Sequence, residues 1–237
     1  MSPQAYARTA GVLYLIVIAG GLFAEVFVRQ RMVVANDAAA TANNILAHEQ
    51  LFRLGFAAGL IPLFCLLPMA LIFYELLKIV NSRVALLVVF FSLVGGAIEG
   101  AALVGHFAPL VLLKRGQELG VDVDLLQAQS YMAINLQAIG FAVALTFFGG
   151  TLVARGYLVF KSAFLPRTFG VLLALGGAAY VTNSFVVFLA PGLAGYAVAV
   201  LILPAIAELS LSLWLLVKGV DVQTWHSVRA ASIASRG

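Results

Sequence analysis

Six long apolar runs, separated by short polar stretches, limit what this chain can fold into more than any other feature. A helix needs about 20 apolar residues to cross the hydrocarbon core of a bilayer. Helices and closed barrels are the forms that satisfy every backbone polar group within lipid. The runs extend from about Thr9 to Val28, Leu54 to Ile79, Val84 to Leu113, Met132 to Val153, Thr168 to Leu189 and Tyr196 to Val217. Hydrophobic residues make up 63% of the 237 and charged residues 10%. A soluble domain carries about 25% charged residues, so lipid must be the solvent for most of this chain. The expected fold is all-α: a polytopic transmembrane bundle of six spans, forming one domain over residues 1–237. The polar stretches are too short to build a core of their own.

The connections carry local signals. Arg8 is the one basic residue ahead of the first run, whose length suits a retained helix better than a cleaved signal. Pro62 and Pro68 predict a kink in the second span. Asn81-Ser82-Arg83 predicts a tight turn, and Pro191-Gly192 a break. Asp37 is placed to cap a helix from Ala38 through Gln50 that runs into the second span. Asp124 to Gln137 reads as a helix leading into the fourth. Both segments are expected to lie along the membrane interface or to cover the bundle as a lid.

Lys and Arg are the residues that orient a membrane chain. Arg8, Lys78, Arg83, Arg155, Lys161, Arg167, Lys218, Arg229 and Arg236 fall on one side of the expected topology. Arg29, Arg31, Arg53, Lys114 and Arg115 fall on the other. The richer side should be cytoplasmic, which puts both termini inside a cell membrane (N-in/C-in). The net charge of +4 is scattered rather than clustered, so it reflects topology and does not point to nucleic acid. The bilayer is the one obligatory partner. A small-molecule or lipid ligand and a homo-oligomer are left open. Cys65, the single cysteine, reads as a small buried hydrophobe.

Lipid supplies no hydrophobic drive between helices, so small residues must admit close backbone approach. Gly96 with Gly100, Gly140 with Ala144, Gly170 with Ala174, and Gly20, Gly21 and Ala24 offer such surfaces. They support a compact bundle and do not require a dimer.

Ionisable residues inside spans are costly and therefore functional candidates. Glu99 lies near the middle of the third run, with His106 two turns later on the same helix face. Glu208 lies near the middle of the sixth. Glu25 sits toward the outer end of the first run, Asn183 and Tyr180 in the fifth, and Asn135 and Gln137 toward the outer end of the fourth. By depth these groups share a zone from midplane to outer face. That zone predicts a polar cavity opening outward, floored by Glu99 and Glu208 and walled by His106, Asn183, Asn135 and Glu25.

Three readings follow. The polar groups hydrogen-bond neighbouring helices and hold the bundle together, as in a structural or regulatory subunit. Alternatively they bind or transport a small molecule or protons. The third reading is an intramembrane enzyme acting on a lipid or apolar substrate. Six spans divide into two inverted halves of three, which would place Glu99 and Glu208 on the third helix of each. Pro109 and Pro204 would then break those helices.

No metal centre and no cofactor are expected. The three histidines are His48, His106 and His226, and a catalytic zinc takes three protein ligands. Ser92, Ser184, Ser210 and Ser212 lie in spans without a GxSxG elbow. His226, in Thr-Trp-His-Ser, reads as a tail residue beside an interfacial Trp225.

The opening of the chain also resembles a known family. The string Ala7-Arg8-Thr9-Ala10-Gly11-Val12-Leu13-Tyr14-Leu15-Ile16, then Gly20-Gly21-Leu22-Phe23-Ala24-Glu25 and Arg29, is similar to the start of the bacterial domain-of-unknown-function 4386 (DUF4386) membrane proteins. So are Asp37-Ala38-Ala39-Ala40-Thr41-Ala42-Asn43-Asn44-Ile45 and Leu51-Phe52-Arg53-Leu54-Gly55-Phe56. Beyond Arg83 the similarity is one of hydropathy and length. The resemblance implies a bacterial multi-span membrane protein and supplies no activity. It directs attention to Glu25, Arg29, Asn43, Asn44 and Arg53, with a Glu25–Arg29 or Glu25–Arg53 contact as the ordinary structural explanation.

Overall fold

The computed structural model describes residues 2–193, 195 and 199–234. The expected start of the sixth span at Tyr196 lies outside them, as does Arg236. Helix α1 (Pro3–Leu22) passes into a π-helical segment, Phe23–Arg29, and a last α-turn, Gln30–Met32. There follow α2 (Ala38–Ala47), α3 (Glu49–Leu77), α4 (Ser82–Glu118), α5 (Val123–Lys161) and α6 (Arg167–Leu189). A 3-10 turn at Pro191–Leu193, α7 (Ile202–Val217) and α8 (Val222–Ala234) complete the described elements.

Among the described residues, five stretches are long and apolar enough to cross a membrane: Pro3–Met32, Glu49–Leu77, Ser82–Glu118, Val123–Lys161 and Arg167–Leu189. A sixth is reached when α7 and α8, bent by 101°, count as one. The fold is thus all-α and multi-pass, with five to six spans.

Several boundaries differ from the sequence reading. Helix α5 continues eight residues past the expected end at Val153, to Lys161, so Arg155 is a helical residue and not a loop cation. The apolar average drops at Arg155, but its side chain is 1% exposed, and burial against rings replaces the solvent it would otherwise need. Helix α3 runs without interruption through Pro62 and Pro68, and α4 through Pro109. Pro204 falls in the first turn of α7, where the missing N–H has no intrahelical partner to lose. The helix expected through Gln50 is divided at His48, whose φ of −120° and ψ of 37° end α2. Trp225, expected at an interface, is buried at 6% exposure.

The described helices gather into two compact units. Unit 1 comprises Met1–Ile16, Cys65–Gly96 and Ala142–Gly237, and unit 2 comprises Val17–Phe64 and Ala97–Phe141.

Unit 1 is held by close backbone approach. A methyl group added at Gly177 (α6) would stand 2.5 Å from the Gly149 carbonyl oxygen of α5 and 2.8 Å from the Val153 nitrogen. At Gly170 it would meet the Phe160 nitrogen at 2.6 Å, and at Gly176 the Pro204 Cα at 2.9 Å. Backbones this near gain dispersion contacts that a larger residue would forfeit. The chain ends of the unit are pinned by side chains. Gln4 donates from Nε2 to the Lys218 carbonyl (3.0 Å) and accepts from the Val220 N–H (3.1 Å). The Trp225 indole N–H donates to the Leu76 carbonyl at 3.1 Å, fixing α8 to the end of α3.

Unit 2 is built around Val28, Met32, Ala42, Ile45, Phe52, Leu110, Leu113, Leu126 and Ile134. Asp37 caps α2 as expected, its Oδ1 accepting from the Ala40 N–H at 2.8 Å. Asn44 Nδ2 donates to the Met32 carbonyl at 3.2 Å, tying α2 to the end of the first span. Gly20 packs on the Ala58 carbonyl and Pro62, whereas Gly21 faces open space. Glu49, at the start of α3, pairs with both Arg53 and Lys114.

Candidate functional site

Each unit carries a set of polar side chains within its apolar helices, and the two sets differ in how completely they are satisfied. In unit 1 the set joins four helices. The Tyr14 hydroxyl of α1 donates to Glu208 Oε1 of α7 at 2.8 Å, and the Tyr180 hydroxyl of α6 donates to Glu208 Oε2 at 2.9 Å. Arg155 of α5 donates from Nη1 to the Tyr14 oxygen at 3.1 Å. Its guanidinium also lies 4.1 Å from the centroid of Phe73 and 5.4 Å from that of Tyr14.

Both carboxylate oxygens therefore have a donor, and a cation stands one phenol away. The Arg155 Nε–H has no acceptor among the described residues, but ring faces meet that charge through their negative quadrupole. A buried cation and anion linked in this way offset each other in low dielectric, and removing either one leaves the other exposed to it. The set is closed, which suits holding helices together.

In unit 2 the set is open. Glu25 lies in the π-helical segment, a type of local widening that recurs at functional sites. Its Oε2 accepts from Arg29 in an i,i+4 ion pair. Its Oε1 accepts from Gln137 Nε2 of α5 at 3.2 Å. Gln137 is 2% exposed, and its Oε1 has no hydrogen-bond partner among the described residues. Rotating that amide would only set its oxygen against a Glu25 carboxylate oxygen, so the orientation follows from the bond it makes.

Glu99 of α4 is half-buried and makes no hydrogen bond or ion pair with another described residue. Glu25 is the charge that acts on it, and Glu25 with Arg29 also acts on His106. His106 is buried with its ring stacked on Phe52, centroids 4.6 Å apart, and its Nε2 is 3.5 Å from the Phe52 carbonyl oxygen. Gln137 is seated by Gly105 of α4, where a methyl group would stand 3.2 Å from the Gln137 Cβ.

Of the residues singled out from sequence, Glu25, Glu99 and His106 thus fall in unit 2, where Glu25 bonds Gln137 and its charge reaches the other two. Asn135 of the same unit bonds back to its own helix, Nδ2 donating to the Tyr131 carbonyl at 2.9 Å. Glu208 belongs to unit 1, where Asn183 is also buried at 5% exposure. Sequence reasoning missed Arg155 and Tyr14. An arginine just past an apolar run resembles a loop cation, and a tyrosine in a span resembles any other aromatic.

Two open clefts lie elsewhere. One in unit 2, of about 530 Å³, is lined by Arg31, Asn44, His48 and Glu49 among others. One in unit 1, of about 460 Å³, is lined by Phe164, Trp214, Lys218 and Asp221 among others. Neither is lined by Glu25, Glu99, His106 or Glu208. Among the described residues, no three His, Cys, Asp or Glu side chains stand together so as to hold a metal ion.

Several apolar helices of spanning length define a multi-pass α-helical membrane protein. Within that class the chain belongs to the family described as Domain of unknown function (DUF4386), whose model matches residues 9–219. The resemblance at the start of the sequence therefore extends along most of the chain. No curated protein and no solved structure matches it.

Proposed function

We propose that this membrane protein binds a small solute or a proton at the open cluster of unit 2, with Glu99 as the central group. The observation that carries this reading is Glu99 itself, an ionisable side chain within a span with no hydrogen-bond or ion-pair partner among the described residues. Such groups are expensive in lipid and are retained where they face a ligand or proton path. The unpartnered Gln137 oxygen beside Glu25 supports it, because satisfied side chains are the rule for buried polar atoms. The contrast with Glu208 also supports it. That carboxylate receives two phenolic donors and is the structural counterion of Arg155, so helix-holding is the reading we favour for unit 1.

The test is labelling by a lipophilic carbodiimide, which adds to unpaired carboxyl groups in apolar surroundings and leaves a stable N-acylurea. In the purified protein in lipid, mass mapping should place the label on Glu99. Glu208 and Glu25, occupied by phenols and by Arg29, should stay largely unmodified. Label on Glu208 in preference to Glu99, or on neither, would overturn this reading.

A further inference from the structure

The groups left open in unit 2 define the chemistry of what would fill them, given the reading that this cluster is the site. Three acceptors are left open: the Gln137 Oε1 and the two oxygens of Glu99 have no hydrogen-bond partner among the described residues. Arg29 Nε and Gln137 Nε2 both face Glu25, so Arg29 balances that carboxylate, and no cation among the described residues pairs with Glu99. A ligand that carries donors fits these acceptors, and a positive charge fits the second carboxylate. The complement is a cation that carries N–H donors.

A bare metal ion fits less well. No three ligating His, Cys, Asp or Glu side chains among the described residues converge to hold one, whereas an ammonium has three directed donors and reaches acceptors that are spread apart. The surroundings suit an apolar body attached to it. Glu25 is flanked by Phe23, Val26 and Phe27, which are 37%, 42% and 52% exposed. Glu99 lies one turn from Leu103, which packs on Gly59 beside Ala24. The Glu25 and Arg29 side chains are each 23% exposed, so the cluster is not sealed.

We infer that the ligand is a primary alkylammonium amphiphile, its ammonium group donating to Gln137 Oε1 and the Glu99 carboxylate and its chain lying along the apolar surface beside the π-helical segment. Carbodiimide labelling provides the assay, with three probes: hexylammonium chloride, its uncharged counterpart hexanol, and sodium chloride. Because an amine also captures the activated carboxyl as an amide, the readout is loss of unmodified Glu99, with N-acylurea and N-hexylamide counted together. Hexylammonium should slow that loss in a saturable way, and hexanol and sodium should not. In Gln137→Leu, labelling of Glu99 should persist, showing an intact fold. Protection should then need about tenfold more hexylammonium, the loss of roughly one hydrogen bond to a charged donor.

Protection by sodium at equal ionic strength, equal protection by hexanol, or undiminished protection in Gln137→Leu would each overturn the inference. Labelling of Glu99 that no probe slows would also overturn it while leaving the reading of Glu99 as the open group intact. An unlabelled Glu99 would instead remove that underlying reading.

Discussion

Replacing Tyr14 by Phe removes one oxygen and no carbon, yet that oxygen has two roles. It donates to Glu208 at 2.8 Å and accepts from Arg155 at 3.1 Å. Tyr14 is 2% exposed, so water has little access to replace either bond. Interhelical hydrogen bonds in membrane proteins average about 0.6 kcal/mol and reach about 1.7, while bonds to charged groups contribute about 1.5–3 kcal/mol. Two bonds to charged partners, lost together, place the cost at about 2–4 kcal/mol, because Arg155 Nη1 loses its acceptor and Glu208 Oε1 its donor within low dielectric. Tyr180→Phe removes one bond and leaves Glu208 with its other donor, so about 1–2 kcal/mol is expected.

Reversible unfolding in mixed detergent–lipid micelles, followed by circular dichroism, measures both. A double-mutant cycle of Tyr14→Phe with Glu208→Gln should show coupling above the roughly 0.5 kcal/mol expected of independent sites. The reasoning is refuted if Tyr14→Phe costs no more than Tyr180→Phe, or if the cycle shows no coupling.

Four further outcomes follow from unit 1 and the first span. Gly177→Val should destabilise by about 1–3 kcal/mol or more, since its Cβ meets Gly149 and Val153 backbone atoms that cannot rotate away. Gly21→Ala, with nothing within 4 Å of the new methyl, should be neutral or stabilising by up to about 1 kcal/mol from helix propensity; unfolding midpoints decide both. Ala163 holds a φ of 60°, a conformation costing an L-residue about 1–2 kcal/mol, so Ala163→Gly should raise the midpoint, and a fall would count against strain there. Asp221 accepts from the Thr224 backbone N–H and hydroxyl, and the backbone bond first, then the hydroxyl, hold its carboxyl below the ordinary value. A depressed carboxylate contributes stability above its unfolded value near pH 3.9 and loses it as pH falls through the lower folded value. Trp225 fluorescence should therefore report loosening of α8 below about pH 4, and Asp221→Asn should remove that step.

Hydropathy made the long helices legible because lipid imposes a length and a composition on each of them. Asp37 was legible as a cap because its partner lies three residues away. Glu25, Glu99 and His106 stood out because charge in a span is rare. Arg155 did not, since an arginine at the end of an apolar run and one buried against Phe73 have the same local sequence. Its role depends on Tyr14, 141 positions away. The same holds for Gly149 and Gly177, which no local pattern selects. The division of Glu208 and Glu99 into a satisfied and an unsatisfied carboxyl is likewise a tertiary fact, because depth along a helix carries no information about which neighbours face it.

The π-helical segment at Phe23–Arg29 sets the phase of everything after it. A stretch with five-residue hydrogen-bond spacing holds one residue more than the α-helix it interrupts. Straightening the segment to uniform α-geometry with every residue kept would turn all later side chains by about 100° about the axis, whereas deleting one residue along with it would leave their phase as it is. In the first case Met32, now in the core of unit 2, would swing out of it. The surplus residue acts as a key in the helix: it lets one span present a carboxyl to its cluster and, a turn later, apolar side chains to its core.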